Sequence, residues 1–241
     1  MTADINSLRR EIEQSSSIVA LTGAGISAES GIPTFRDASG LWRNFRPEQL
    51  ATPRAFARDP RLVWEWYDWR RGIIEKAQPN AGHLALVTLE NRKPGAFTLI
   101  TQNVDGLHDR AGNRRTIKLH GDIWKMRCTS CGLAARNDEV PLRASPPCCS
   151  CGAILRPDVV WFEESLPPDA WNAAVQASRR ADLFLLIGTS AVVYPAAGLV
   201  ELAHSRGARI AVINPNESPL DGLAEWTLRG PAGEILPQLV E

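Results

Sequence analysis

The stretch Ser17–Ala28, SIVALTGAGISA, decides how the rest of the chain is read. Ser17–Thr22 is an apolar run of strand length that ends at Gly23, and the next residues, Gly23-Ala24-Gly25-Ile26-Ser27-Ala28, fit G-x-G-x-x-A. Placed directly after a strand, such a loop lets backbone N–H groups approach a pyrophosphate, so Gly23, Ala24, Gly25, Ser27 and Ala28 are expected to bind a dinucleotide. Working outward, residues 4–14 read as a short amphipathic helix. Helices are expected over 61–76 and 80–91, followed by a strand at Phe97–Thr101. The alternation resumes with a helix over 171–180, a buried strand over 182–189, a helix over 196–205 and a buried strand over 208–214. Continuous apolar strands alternating with helices predict an α/β fold, a parallel sheet covered on both faces. The alternation fails at 36–79, which is helical and rich in tryptophan, and at 124–154, which holds every cysteine. The expected division is therefore 1–35, 80–123 and 155–241 for the sheet domain. A smaller domain takes 36–79 as a helical module and 124–154 as a cysteine module.

The chain has 241 residues, with 27 basic and 27 acidic side chains and no formal net charge. Electroneutrality argues against nucleic acid as a partner. A hydrophobic content of 44% argues against disorder. No apolar run approaches the ~20 residues that a bilayer requires, so no membrane partner is expected. The polar start, MTADINSLRREIEQSSS, carries no signal-peptide pattern, which predicts a cytoplasmic protein.

Polar residues recur where strands end. Gln102, Asn103 and Asp105 follow FTLIT; His120 follows Thr116–Leu119; Gly188, Thr189 and Ser190 follow DLFLLI; Asn214 closes ARIAVI. In an open parallel sheet the ligand lies beyond the carboxyl ends of the strands, so these groups should converge on one crevice. A dehydrogenase would next show a strand ending in an acidic residue ~20 positions on, to grip the adenosine ribose. Instead the chain runs GIPTFRDASGLWRNF, which argues against simple hydride transfer.

Five cysteines fall between Cys128 and Cys151 and none elsewhere. Cys128-x-x-Cys131 and Cys148-x-x-Cys151, with sixteen residues between the pairs, form two knuckles that can supply four thiolates to zinc. Cys149 is the odd one, because pairing it with Cys151 leaves one intervening residue instead of two. Four protein ligands leave no open position, so one structural zinc is expected.

Together GAGISAESGIPTFRD, TQNVDGLHDRAG, LHGD, RPDVVWF and GTSAVVYPAA resemble the sirtuin family of NAD-dependent protein-lysine deacylases, in family order and over essentially the whole chain. The resemblance implies a Rossmann-like NAD domain with a smaller zinc and helical domain. It also implies a reaction that cleaves the nicotinamide–ribose bond of NAD and passes the acyl group of a lysine to ADP-ribose. Nicotinamide, O-acyl-ADP-ribose and free lysine are the products. It casts His120 as the general base, and Asn103 and Asp105 as the groups around the nicotinamide and its ribose. Gln102 becomes a ribose contact, while Phe35 and Arg36 belong to a cofactor loop. Gly188, Thr189, Ser190, Asn214 and Ala232 fall at the adenosine end. Val159, Val160, Trp161 and Phe162 resemble the segment that pairs with the substrate peptide. Glu163 departs from the pattern, since many relatives have glycine there. Acyl-lysine proteins are the expected partners, and a monomer is expected.

Tyr67 and Arg70 stand three apart on one helical face. A phenol and a guanidinium aimed into one pocket make a receptor for a carboxylate. The pair resembles the class III sirtuin subgroup that removes succinyl, malonyl and glutaryl chains, in which Ala51 matches a small residue that widens the acyl pocket. Acetyl is expected to be removed as well. Two other outcomes stay open: a chain that is mainly a deacetylase, and one that transfers ADP-ribose to protein.

Overall fold

A computed structural model describes residues 2–34 and 47–241. Phe35 and Arg36 lie outside the described residues. Six parallel strands form the main sheet: β1 (Ile18–Thr22), β2 (Phe97–Thr101), β3 (Thr116–Lys118), β7 (Leu183–Ile187), β8 (Arg209–Ile213) and β9 (Trp226–Leu228). Their spatial order is β3-β2-β1-β7-β8-β9. β1, β7 and all but the first residue of β8 are buried throughout, which is why these segments read as unbroken apolar runs.

Because side chains alternate along a strand, each strand feeds two cores. Ile18 and Ala20 of β1, with Leu183, Leu185 and Ile187 of β7, face helices α1 (Thr2–Gln14), α6 (Ala81–Arg92) and α10 (Ala232–Val240). Val19, Leu21, Phe184 and Leu186 face the other way, onto α8 (Pro168–Arg180) and α9 (Gly198–Ser205). The edge strand β9 and helix α10 have no counterpart in the sequence reading. A three-residue strand gives almost no periodicity, and Pro237 sits inside α10.

The helical segment comprises α3 (Pro47–Leu50), α4 (Pro53–Arg58) and α5 (Pro60–Lys76). Thr52 caps α4 by accepting from the Ala55 N–H, and Asp59 caps α5 by accepting from the Leu62 N–H. Each is followed by proline at the first helical position, where no intrahelical N–H is lost. These helices pack on a second sheet, antiparallel, in the order β5-β4-β6, with β4 at Gly121–Cys128, β5 at Ala134–Arg136 and β6 at Leu155–Val159. Leu50, Trp64, Trp66, Tyr67, Trp124, Val159 and Trp161 share their core. This sheet straddles the expected boundaries at 123/124 and 154/155.

Candidate active site

β1 and β7 are neighbours, yet the chain leaves them toward opposite edges of the sheet, so a crevice opens beyond Thr22 and Ile187. The glycine loop closes there onto β7. Gly23 N–H donates to Ile187 O at 3.0 Å, and Gly25 N–H to Gly188 O at 2.7 Å. A Cβ at Gly25 would lie 2.7 Å from Gly188 O, and one at Gly188, whose φ is +57°, would lie 2.5 Å from Ile26 N. The two glycine N–H groups are thus spent on close packing. The Ala24 N–H has no acceptor among the described residues. Helix α2 (Gly25–Ala28) follows at once.

The polar residues at the strand ends join one another by hydrogen bonds. Ser27 Oγ donates to Asp105 Oδ2 at 2.8 Å, and Asn103 Nδ2 donates to Gly23 O at 3.1 Å and Ser27 Oγ at 3.2 Å. Gln102 Nε2 donates to Thr189 Oγ1 at 3.1 Å, and Asn214 Nδ2 to Thr189 O at 3.1 Å. Asp105 also accepts from the Leu107 N–H at 2.8 Å. Two hydrogen-bonded groups, one of Ser27, Asn103 and Asp105 and one of Gln102, Thr189 and Asn214, are joined through the adjacent residues Gln102 and Asn103, over a glycine cradle that side chains would fill. That arrangement fits a dinucleotide. Ser190 is half-buried beside it, and Ala28 is exposed. Ala232 opens α10 beside Gly82, and no hydrogen bond among the described residues joins it to the set.

His120 lies 3.0 Å, through Nδ1, from the backbone oxygen of Gln102. A carbonyl only accepts, so the ring proton is on Nδ1 and the Nε2 lone pair is left to act as a base. Burial pushes this imidazole below its ordinary pKa, partly opposed by that same bond. The His120 carbonyl accepts from the Val160 N–H at 2.9 Å, which ties the ring to the segment after β6. That segment reaches the helical module in turn. Phe162 N–H donates to Ala51 O at 2.9 Å, and Trp161 Nε1–H to Tyr67 Oη at 2.9 Å. Tyr67 and Arg70 are both buried. Burial pushes the Tyr67 phenol up to about 12, against the pull of the Arg70 guanidinium; burial also lowers Arg70, against the charges of Tyr67 and Asp105. Glu163 has φ +73°, the left-handed region that favours glycine, and it pairs with Arg54.

The cysteine module differs from expectation at one position. Sγ atoms of Cys128, Cys131, Cys149 and Cys151 lie within 4.8 Å of one another, so Cys149 takes the place expected for Cys148. Cys148 forms an antiparallel bridge with Ile154, and in extended chain neighbouring side chains face opposite ways, so only one of the adjacent cysteines can face the cluster. The turn closes on Cys149, which accepts from Gly152 N–H at 2.9 Å and donates its own N–H to Ala153 O at 2.8 Å. Counting intervening residues could not register this. The N–H groups of Cys131 and Ser130 point at Cys128 Sγ, each at 3.4 Å, and hold that thiol down to about 6. Four clustered thiols, Cys128 among them held ready as a thiolate, fit a closed tetrahedral zinc site.

Several supporting residues carry no sequence signal. Thr22 Oγ1 donates to Thr101 Oγ1 at 2.8 Å and meets His108 Nε2 at 2.9 Å, while Thr101 Oγ1 accepts from the Asn103 N–H at 3.1 Å. Arg156 brackets Glu164 with contacts of 2.6 and 2.8 Å. Each pair is distant in sequence or lacks a period, so only the fold reveals it.

Comparison with known proteins agrees with this geometry. The Sir2 family model matches residues 23–195. The chain is 54% identical over 225 residues to the NAD-dependent protein deacylase of Aquifex aeolicus, covering 93% of this chain and 94% of that one. It is 53% identical over 225 residues to NAD-dependent protein deacylase 2 of Pyrobaculum aerophilum, covering 92% and 89%. Among solved structures, a Sir2 homologue–NAD complex superposes with a TM-score of 0.92 at 51% identity, covering 98% of this chain and 92% of the other. A Sir2 complex with a deacetylated peptide and 3′-O-acetyl-ADP-ribose gives 0.87 at 32% identity, covering 98% and 96%. Glycine cradle, polar crevice, histidine and thiol cluster thus occur in a chain matched over most of its length, and the chain belongs to the Sir2 family.

Proposed function

We propose that this chain is an NAD-dependent protein-lysine deacylase that prefers acyl groups ending in a carboxylate (succinyl, malonyl and glutaryl) and also removes acetyl. The observation that carries the reading is the unbroken bonded path from the glycine loop through Asn103, Gln102 and His120 to Val160, and from Trp161 to Tyr67. When bound, NAD would supply a nicotinamide–ribose bond whose cleavage lets the acyl-lysine amide oxygen reach the anomeric carbon, and with the addition of one water the acyl group leaves on ADP-ribose and the lysine amine is freed.

The chain's own residues orient and move protons. Neutral His120 takes a hydroxyl proton at Nε2 and is kept neutral by burial. Asp105, already accepting from Ser27 and Leu107, keeps lone pairs for a carboxamide N–H₂. Gln102 and Asn103 hold the ribose side, with Gly188, Thr189, Ser190, Asn214 and Ala232 toward the adenosine; the resemblance adds Phe35 and Arg36, outside the described residues, as cofactor contacts. Holding both reactants in line supplies ~7–11 kcal/mol in favourable cases.

The substrate peptide lies along Val159, Val160, Trp161 and Phe162. The N–H groups of Val160, Trp161 and Phe162 are already taken by His120, Glu164 and Ala51, so among the described residues the Val160 carbonyl and the Glu163 N–H are the main-chain groups there left to pair with a peptide. The acyl chain passes Ala51 to reach Tyr67 and Arg70, where a planar guanidinium and a phenol receive its carboxylate. Cys128, Cys131, Cys149 and Cys151 hold a structural zinc. In this reading the chain divides into a sheet domain and a smaller domain and acts as a cytoplasmic monomer. Clustered thiols rather than dispersed disulfides suit a reducing compartment.

Peptides bearing acetyl-, succinyl- and glutaryl-lysine, assayed for nicotinamide release, test the proposal. Tyr67→Phe with Arg70→Met is expected to depress desuccinylation far more than deacetylation; equal losses refute the acyl assignment.

A further inference from the structure

Trp161 is held more tightly than a packing residue needs to be. Its ring lies 5.2 Å from that of Phe56, and the Arg156 guanidinium covers its face at 3.5 Å. Arg156 is fixed by both oxygens of Glu164 and by Val159 O at 3.0 Å, while Glu164 Oε2 also accepts the Trp161 N–H at 2.8 Å. The result is that the indole Nε1–H is aimed at Tyr67 Oη, with both residues buried.

The direction of that bond has a chemical consequence. Indole N–H can only donate, so the Tyr67 oxygen accepts. The neighbouring Arg70 guanidinium also carries donors alone and cannot take the phenol's proton. Among the described residues no acceptor takes the Tyr67 O–H, and burial keeps that proton in place over the working pH range. A neutral acyl chain offers it nothing beyond its own amide. A chain ending in a carboxylate offers an acceptor.

We propose that Trp161 is a specificity-determining positioning residue, which by donating to Tyr67 commits the phenol proton to the acyl chain's terminal carboxylate and so favours charged over neutral acyl groups. The proposal rests on the carboxylate-pocket reading of Tyr67 and Arg70 given above.

The test compares kcat/KM on succinyl- and acetyl-lysine peptides of one sequence for wild type, Trp161→Phe, Tyr67→Phe and the double variant. Phenylalanine keeps an aromatic ring at 161 and removes the N–H. The succinyl-to-acetyl ratio is expected to fall roughly five- to tenfold in Trp161→Phe, the scale of one ordinary hydrogen bond. In the Tyr67→Phe background, Trp161→Phe should change the ratio less than twofold. A purely structural role for Trp161 would lower both activities alike and leave the ratio where it was, and that outcome overturns the proposal. An equal fall of the ratio in the Tyr67→Phe background also overturns it. Should wild type show no desuccinylation, the carboxylate-pocket reading itself fails. Should it desuccinylate and lose that activity in Tyr67→Phe with Arg70→Met, while Trp161→Phe keeps the ratio, only the present inference fails. If Trp161→Phe does not fold, the indole N–H resonance of wild-type protein, assigned by its shift in Tyr67→Phe, is followed instead. It should move with succinyl-lysine peptide and stay with acetyl-lysine peptide; identical responses refute the inference.

Discussion

Replacing His83 by glutamine should make the protein markedly more resistant to acid. His83 and His108 are buried with ring centroids 4.9 Å apart, and burial pushes both down to about 4. An unfolded chain restores each to ~6.5. At pH 7 neither state binds the proton; as the pH falls through 6.5 the unfolded chain takes up protons that the folded chain refuses until about pH 4. Stability therefore drops across that window, by about 2 kcal/mol per imidazole between pH 7 and pH 5. That is a large fraction of a typical ~5–15 kcal/mol. His83 is also the third residue of α6, where its Nδ1 accepts from the Asn80 N–H at 3.3 Å while Asn80 Oδ1 caps the helix. Glutamine at that position can reach back in the same way, so the cap survives and the titrating group does not. Urea unfolding of zinc-loaded wild type and His83→Gln at pH 7 and pH 5 measures the effect. The loss on acidification should be smaller by about 2 kcal/mol in the variant, and His108 should keep its own contribution. An identical loss in both proteins would show that the buried imidazole is not the group that titrates.

Gly25→Ala places a Cβ 2.7 Å from Gly188 O and 2.8 Å from Gly188 Cα, both backbone. Thermal and urea unfolding should record a loss of roughly 1–3 kcal/mol, and NAD affinity should fall with it; unchanged affinity would count against the cradle. Cys148→Ser should keep one zinc per chain by metal analysis, whereas Cys149→Ser should lose it, and the reverse pattern would restore the even spacing. Because His120 is pushed below its ordinary pKa and acts neutral, the acidic limb of kcat/KM should lie below the ordinary imidazole value of ~6.5. A limb at or above that value would argue against Nε2 as the base.

Much of the fold is legible locally. Unbroken apolar runs such as LFLLI and IAVI need both faces covered, and the glycine pair Gly23 and Gly25 after SIVALT marks where a backbone must pass close to another. The small sheet was less legible. β4 alternates poorly because its register shifts between Asp122 and Met126, and β5 is three exposed residues. The cysteine pattern announced a metal module, yet it pointed to Cys148 where the structure gathers Cys149, because spacing counts residues and not the side of the chain on which a thiol emerges.

What the residues determine unaided is the inventory: which groups can donate, accept, ligate or bend, and the periods that place them on strands and helices. What only the tertiary structure decides is direction. That Gln102 O faces His120 Nδ1, that Trp161 donates to Tyr67, and that Cys149 rather than Cys148 faces its partners all follow from segments meeting after long separations in the chain. Hydrogen bonds and metal ligation depend on ångström distances and on angle, and those are set by packing rather than by neighbours in sequence.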